Sequence, residues 1–197
     1  MKRLIVAALL SSAFALPAVA ALKQGDKAPD FTAQASLAGK EFKFSLKDAL
    51  KKGPVVVYFY PSAFTGGCNA EAHAFAESAD QFAAAHTTII GVSQDSIARL
   101  NAFSSDPQYC AGKFPVASDA KGEITKAYNL SVRELKSRAM KDTRGEEIDH
   151  DATERTTFVI TPDNKVVATL STADDKVTPT EHADKSLAIV QQISAKK

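Results

Sequence analysis

Six consecutive apolar, β-prone residues, Val55 to Tyr60 (VVVYFY), run directly into Pro61. The run has no alternating polar face, so it reads as a buried strand, and Pro61 cannot donate to the ladder and ends it. Beyond Gly66 and Gly67 the period changes. Ala72, Phe75, Ala79 and Phe82 recur every three to four residues, the spacing of one helix face. Cys68 therefore falls in the first turn of that helix. Unpaired backbone N–H groups and the positive end of the helix dipole stabilise an anion there, so the position predicts an acidified thiol.

The rest of the chain repeats this alternation. A strand is expected near Glu41 to Phe44, and a helical turn over Ser45 to Lys52 ending at Gly53-Pro54. The Cys68 helix should end near His86, followed by a buried strand, Thr87 to Ser93 (TTIIGVS). Asp95 can cap a helix running to about Phe103 with Ile97 and Leu100 inward. Ser104 to Gly112 reads as a polar loop holding Cys110, Phe114 to Val116 as a short strand and Gly122 to Tyr128 as a short helix. Arg133 to Asp151 is charged and irregular, as in a surface excursion. Thr156 to Thr161 and Lys165 to Leu170 flank Pro162-Asp163-Asn164 as a hairpin, and Leu187, Val190 and Ile193 mark a closing helix. Strands alternating with helices, then a hairpin and a last helix, predict an α/β fold: three α/β/α layers on a mixed central sheet.

Length and charge limit the possibilities further. With 197 residues, 45% of them hydrophobic, the chain supports one domain with a real core. Lys+Arg 24 against Asp+Glu 23 leaves no basic patch for nucleic acid. The first twenty residues stand apart. Lys2 and Arg3, the apolar run Leu4 to Leu16 and Ala18-Val19-Ala20 form the pattern of a cleaved signal peptide, too short to span a bilayer. Losing Lys2 and Arg3 takes the net charge from +1 to −1. The expected mature domain is residues 21–197, exported to a bacterial periplasm and free of the membrane. That space is oxidising, and Cys68 with Cys110 then invites a structural disulfide as the plain alternative.

Pro61, Thr65 and Cys68 stand in the spacing P-x-x-x-T-x-x-C, with Gly66 and Gly67 between, and Arg155 opens the distant strand RTTFVI. A thiolate so placed suits attack on a peroxide O–O bond, which yields a sulfenic acid. A free thiol of pKa about 8.5 is only ~3% ionised at pH 7, so acidification to ~6 gains at most about thirtyfold. The larger contribution has to come from donors that hold the two oxygens. The Gly67 and Cys68 amides, the Thr65 hydroxyl and Arg155 are the candidates, while Pro61 shapes the loop and shields the sulfur.

These residues carry a resemblance. GDKAPDF from Gly25, FYPSAFTGGC, KFPVASDAKGEITKAYNL and RTTFVI make the chain similar to peroxiredoxins of the bacterioferritin-comigratory-protein type, over nearly the whole mature length. The resemblance implies a thioredoxin fold and thiol-dependent reduction of hydrogen peroxide and alkyl hydroperoxides. It implies no metal, no flavin and no other cofactor. Cys68 would be the nucleophile, with Pro61, Thr65 and Arg155 as its partners, and Glu71 matches a glutamate common in the subgroup. Two departures stand out: His73 occupies the position five residues after the nucleophile where many members carry a resolving cysteine, and Gly66 replaces the usual proline. Some relatives place the resolving cysteine further on, in the region of Cys110. The expected partners are a peroxide and an external thioredoxin-like thiol donor, with a monomer or weak dimer as the assembly.

Plainer readings compete. Arg155 taken alone is a strand-end ion pair with Glu154 or Asp151, and Glu71 a helix-dipole partner. Thr65 also fits a helix N-cap, which does not conflict with its site role. His73, His86, His150 and His182 read as exposed. A thiol–disulfide exchange protein would want C-x-x-C, and a metal-binding or redox-sensing module would rest on Cys68 with His73.

Overall fold

The computed structural model describes residues 20–195. The expected signal peptide lies outside the described residues save for Ala20. The chain first reverses at Ala38-Gly39, pairing β1 (Thr32–Leu37) antiparallel with β2 (Lys40–Ser45). The Ser45 side chain then accepts from the Asp48 amide and caps α1 (Leu46–Leu50). Next come β3 (Val55–Phe59), α2 (Gly66–Ala84), β4 (Thr88–Ser93) and α3 (Ile97–Ser105). They are followed by β5 (Val116–Ser118), α4 (Glu123–Ala127) and β6 (Val132–Arg133). After a 3₁₀ turn, Lys136–Arg138, the chain forms β7 (Ala152–Thr153), β8 (Thr156–Ile160), β9 (Val166–Ser171), α5 (Thr172–Asp175) and α6 (Glu181–Ser194).

Seven strands form one mixed sheet in the order β2-β1-β5-β4-β3-β8-β9, while β6 and β7 form a separate ribbon. β3 runs parallel to β4 and antiparallel to β8, with Val57 opposite Ile90 on one side and Phe158 on the other. All five β3 residues are buried because the sheet is covered on both faces. Val56 and Tyr58 face a core with Phe75, Phe82, Leu100, Phe103 and Val190, which come from α2, α3 and α6. Val55, Val57 and Phe59 face the opposite core, with Phe31, Leu46, Leu50, Tyr128 and Phe158. The expected three-layer arrangement is the one observed. Among the described residues, no helix is long and apolar enough to cross a membrane.

Several local expectations are corrected. Asp95 does not cap α3; the Ser96 side chain does, accepting from the Arg99 amide, and Asp95 is wholly buried. Helix α3 runs on to Ser105, so the polar segment is shorter than expected, and Cys110 within it is fully buried. β5 begins at Val116, where the expected strand ends. The 133–151 excursion is no simple surface loop, because it buries Leu135, Asp142, Ile148 and His150. His150 and His182 are buried, against the expectation for all four histidines. His73 is exposed beside Glu77 on α2.

Candidate active site

Pro61 to Thr65 cross from the C-terminal end of β3 to α2, and Asp95 follows the parallel neighbour β4. The carboxyl ends of parallel strands are where such sheets open a crevice. Cys68 occupies the first turn of α2 as expected and is only 2% exposed. The first intrahelical bond is Asn69 N–H to the Thr65 carbonyl, at 2.8 Å. The amides of Gly66, Gly67 and Cys68 precede it and have no helical acceptor. Thr65 stands at the N-cap position, yet its hydroxyl does not reach forward to them. It donates backward, to the Ser62 carbonyl at 2.8 Å.

Arg155 enters from just before β8 and reaches the sulfur: its Nη2 lies 3.2 Å from Cys68 Sγ. Nη1 of the same guanidinium pairs with the Glu71 carboxylate, one helical turn past the cysteine and fully buried. The partners suggested by the plain reading are engaged elsewhere. Glu154 accepts from Ser131, and Asp151 accepts from the Leu135 amide. Gly67 is closely packed: a Cβ there would lie 3.3 Å from Arg155 Nη2 and 3.4 Å from Pro179, so a side chain would press on the guanidinium. A depression of about 350 Å³ opens beside the guanidinium, with Pro61, Arg133, Arg155 and Thr172 in its lining.

The expectation of an acidified thiol is overturned. Burial pushes the Cys68 thiol above its ordinary value, and Glu71 adds to the rise. Arg155, then the Thr65 hydroxyl and the Ser62 amide, pull it back only in part. Sequence position captures the helix end but not how completely neighbours exclude water. Burial likewise pushes Glu71 up to about 8, with Arg155 opposing. One guanidinium thus faces two acids that are both costly to ionise.

Behind Glu71 lies His182, its Nδ1 4.0 Å from Oε1. Thr172 donates its hydroxyl to the Val177 carbonyl, so it accepts from His182 Nε2, and Nδ1 faces the Thr157 hydroxyl at 2.9 Å. Burial, with Arg155 adding to it, holds the ring's pKa down to about 4 and keeps it neutral.

Cys110 sits in the same core cluster as Cys68, Phe64 and Phe103, and both cysteines are free thiols. Burial raises its pKa well above the ordinary value, and Asp106 raises it further. Among the described residues no three His, Cys, Asp or Glu side chains gather as a metal site. His73 sits on the exposed side of α2 while Cys68 is buried, which removes the pairing on which a metal module would rest. Sequence reasoning missed the Ser62 amide, and it missed Asp95, Arg99 and Asp142, which surround the loop. An acidic residue just past a parallel strand, as in GVSQDS, was the available signal.

Gly66 is exposed and a Cβ there would meet nothing within 4 Å. It is the first residue of α2, where proline is well accommodated, and Thr65 before it is extended at φ −110°, ψ 147°. Gly66→Pro is therefore expected to stabilise the fold by about 0.4–1 kcal/mol through the unfolded chain. Urea denaturation of both proteins checks this; a lower midpoint for the variant refutes it.

Comparison with known proteins agrees with this geometry. Residues 24–169 match the model of the AhpC/TSA family. A Mycobacterium tuberculosis protein named as a peroxiredoxin is 31% identical over 172 residues, 87% of this chain and 98% of the relative. The crystal structure of peroxidoxin BcpB from Mycobacterium tuberculosis superposes with a TM-score of 0.70 at 31% identity, covering 87% of this chain and 98% of that one. Peroxiredoxin Q of Xanthomonas campestris gives a TM-score of 0.61 at 26% identity over 82% and 90% of the two chains. With the buried cysteine, its arginine and the thioredoxin-like sheet in place, the chain belongs to the AhpC/TSA family as a peroxiredoxin, a thiol-dependent peroxidase.

Proposed function

We propose that Cys68 is the peroxide-reducing thiol of an exported enzyme acting on hydrogen peroxide and alkyl hydroperoxides. The observation that carries this is the 3.2 Å approach of Arg155 to Sγ at a helix start whose amides lack acceptors. A peroxide above the sulfur would find donors for both oxygens in Arg155 and the Gly67 and Cys68 amides, while the Thr65 hydroxyl, committed to the Ser62 carbonyl, holds the loop. Pro61, with no N–H of its own, keeps one wall of the pocket aprotic. As the S–O bond forms the O–O bond breaks, and the proton leaving the thiol ends on the departing oxygen. The sulfur is oxidised by two electrons to a sulfenic acid, and the peroxide is reduced to water or an alcohol.

Cys110 then resolves the sulfenic acid. Its thiol attacks the oxidised sulfur, a disulfide forms and water leaves. Both sulfurs are buried in one cluster, where Phe64 meets Phe103 and Tyr109 edge-on at 5.0 and 5.7 Å. An external thioredoxin-like thiol donor reduces the disulfide and closes the cycle. The basic start, the apolar run and Ala18-Val19-Ala20 support the reading of an exported, periplasmic enzyme.

One equivalent of hydrogen peroxide, rapid quenching and peptide mass spectrometry test the scheme. The expected product carries one added oxygen on Cys68, converting to a Cys68–Cys110 linkage. Unmodified Cys68 with peroxide intact overturns it.

A further inference from the structure

Both polar groups of the Ala63 peptide unit are held by buried charged side chains. Its N–H donates to Asp95 Oδ2 at 2.8 Å and its carbonyl accepts from Arg99 Nη2 at 3.0 Å. Arg99 also pairs with Asp95, Nε to Oδ1 at 2.9 Å. These two residues are held in turn from residues 131–153, the excursion together with its flanking strands β6 and β7. Asp142 accepts from Arg99 Nη2 at 2.7 Å, and His150 Nε2 meets Asp95 Oδ1 at 2.8 Å. Thr143 donates its amide and its hydroxyl to the Phe64 carbonyl at 2.9 and 2.8 Å. Arg144 covers the Phe64 ring at 3.2 Å.

Phe64 itself adopts a left-handed backbone, φ +61°, unusual for a bulky residue and sustained only where the surroundings impose it. Asp95 and Asp142 are costly to bury and their side chains are wholly inaccessible. None of these groups touches Cys68, and all of them converge on the loop that carries Pro61 and Thr65.

We infer that the 131–153 segment is a strap that positions the catalytic loop, acting through His150 and Asp142 on Asp95 and Arg99. The hydrogen bonds also fix the charge of His150. Its Nδ1 faces the Asp151 carbonyl at 2.8 Å and its Nε2 faces the Asp95 carboxylate, and both are acceptors. The Ser62 hydroxyl, 3.2 Å from Nε2, donates to Asp95 Oδ1 at 3.1 Å, so both ring nitrogens donate and His150 is an imidazolium in this arrangement. Asp95 raises its pKa, against the opposing effect of burial, and Asp149 contributes in the same direction. The charged groups around the ring are Asp95, Arg99 beyond it, and Asp149 and Asp151 on its own segment. Because the folded pKa is raised, the imidazolium contact is complete at lower pH and is lost as pH climbs through that value. A neutral ring turns a lone pair on one of its two acceptors, and the strap slackens.

The strap rests on the peroxidase reading, and the test separates the two. For each protein, rapid quenching gives the rate of Cys68 oxidation by hydrogen peroxide, and iodoacetamide gives its rate of alkylation. Both reactions need the thiolate, so their ratio cancels its ionisation and reports donor geometry. His150→Gln and Asp142→Asn are expected to lower the ratio about tenfold to a hundredfold, as for a small misplacement of positioned groups. Thr143→Val, which deletes a single hydroxyl contact and is the safer variant for folding, should lower it about threefold. In the parent the ratio should fall as His150 titrates, and in His150→Gln it should be flat with pH. Nitrogen-15 spectra should show two ring N–H signals for His150 on the acid side of that titration. Folded variants with the parent ratio, or a His150 singly protonated on that side, overturn the strap. A parent whose Cys68 ignores peroxide overturns the reading beneath it.

Discussion

Arg155→Met is expected to slow oxidation of Cys68 by hydrogen peroxide by about two to three orders of magnitude, the usual loss when a preorganised donor to a developing oxyanion is removed. Two effects act in one direction. The leaving oxygen loses its cationic partner, and the thiol loses the largest influence now opposing burial, so its pKa climbs further. Glu71 separates catalysis from stability. Its carboxyl, already pushed up to about 8, loses its partner and holds its proton more tightly in the folded state. The unfolded chain releases that proton near 4.5, so the folded state binds more protons above that pH and the variant loses stability steadily as pH rises. Arg155→Met with Glu71→Gln should remove the pH slope and leave the kinetic defect. Glu71→Gln alone should make Cys68 more acidic, since a carboxylate that raises the thiol pKa is gone. Alkylation rates and melting curves across pH read both outcomes; a double variant with recovered peroxide rate would refute the assignment of Arg155.

Cys110→Ala should consume a single equivalent of peroxide and then stop when a thioredoxin-like donor is the only reductant. The parent should turn over many times. Alanine is chosen because Cys110 is fully buried, where a serine hydroxyl would lack a partner. Stalled at the sulfenic acid, Cys68 stays open to a second peroxide, and sulfinic acid should accumulate as peroxide rises. Mass spectrometry of Cys68 peptides and donor-coupled turnover check this. Undiminished turnover would make Cys110 a bystander and the enzyme dependent on an outside thiol at the first step.

What the sequence disclosed follows from how locally each feature is encoded. β3 and α2 are readable because bulky apolar residues set the period and Pro61 marks the junction. β1 was missed: TAQASL places only Ala33, Ala35 and Ser36 inward, and small residues give no period to detect. Cys68 at a helix start was visible in the spacing, whereas Arg155 needed family resemblance because 87 residues separate the pair. The thiol pKa was misjudged because burial belongs to the whole fold. Asp95, Asp142 and His150 look like ordinary surface residues in the chain, and only the tertiary partners that neutralise them explain their burial.

Since the Thr65 hydroxyl turns back toward Ser62, α2 forgoes a side-chain cap normally worth about 1 kcal/mol. An oxyacid on Cys68 would fill that vacancy from within the helix, accepting from the Gly66 and Gly67 amides and from Arg155. Irreversible damage and rigidity then travel together. The sulfinic form should melt at a higher temperature than the working enzyme, and a pool inactivated by oxidative stress would outlast its active counterpart against heat and proteases.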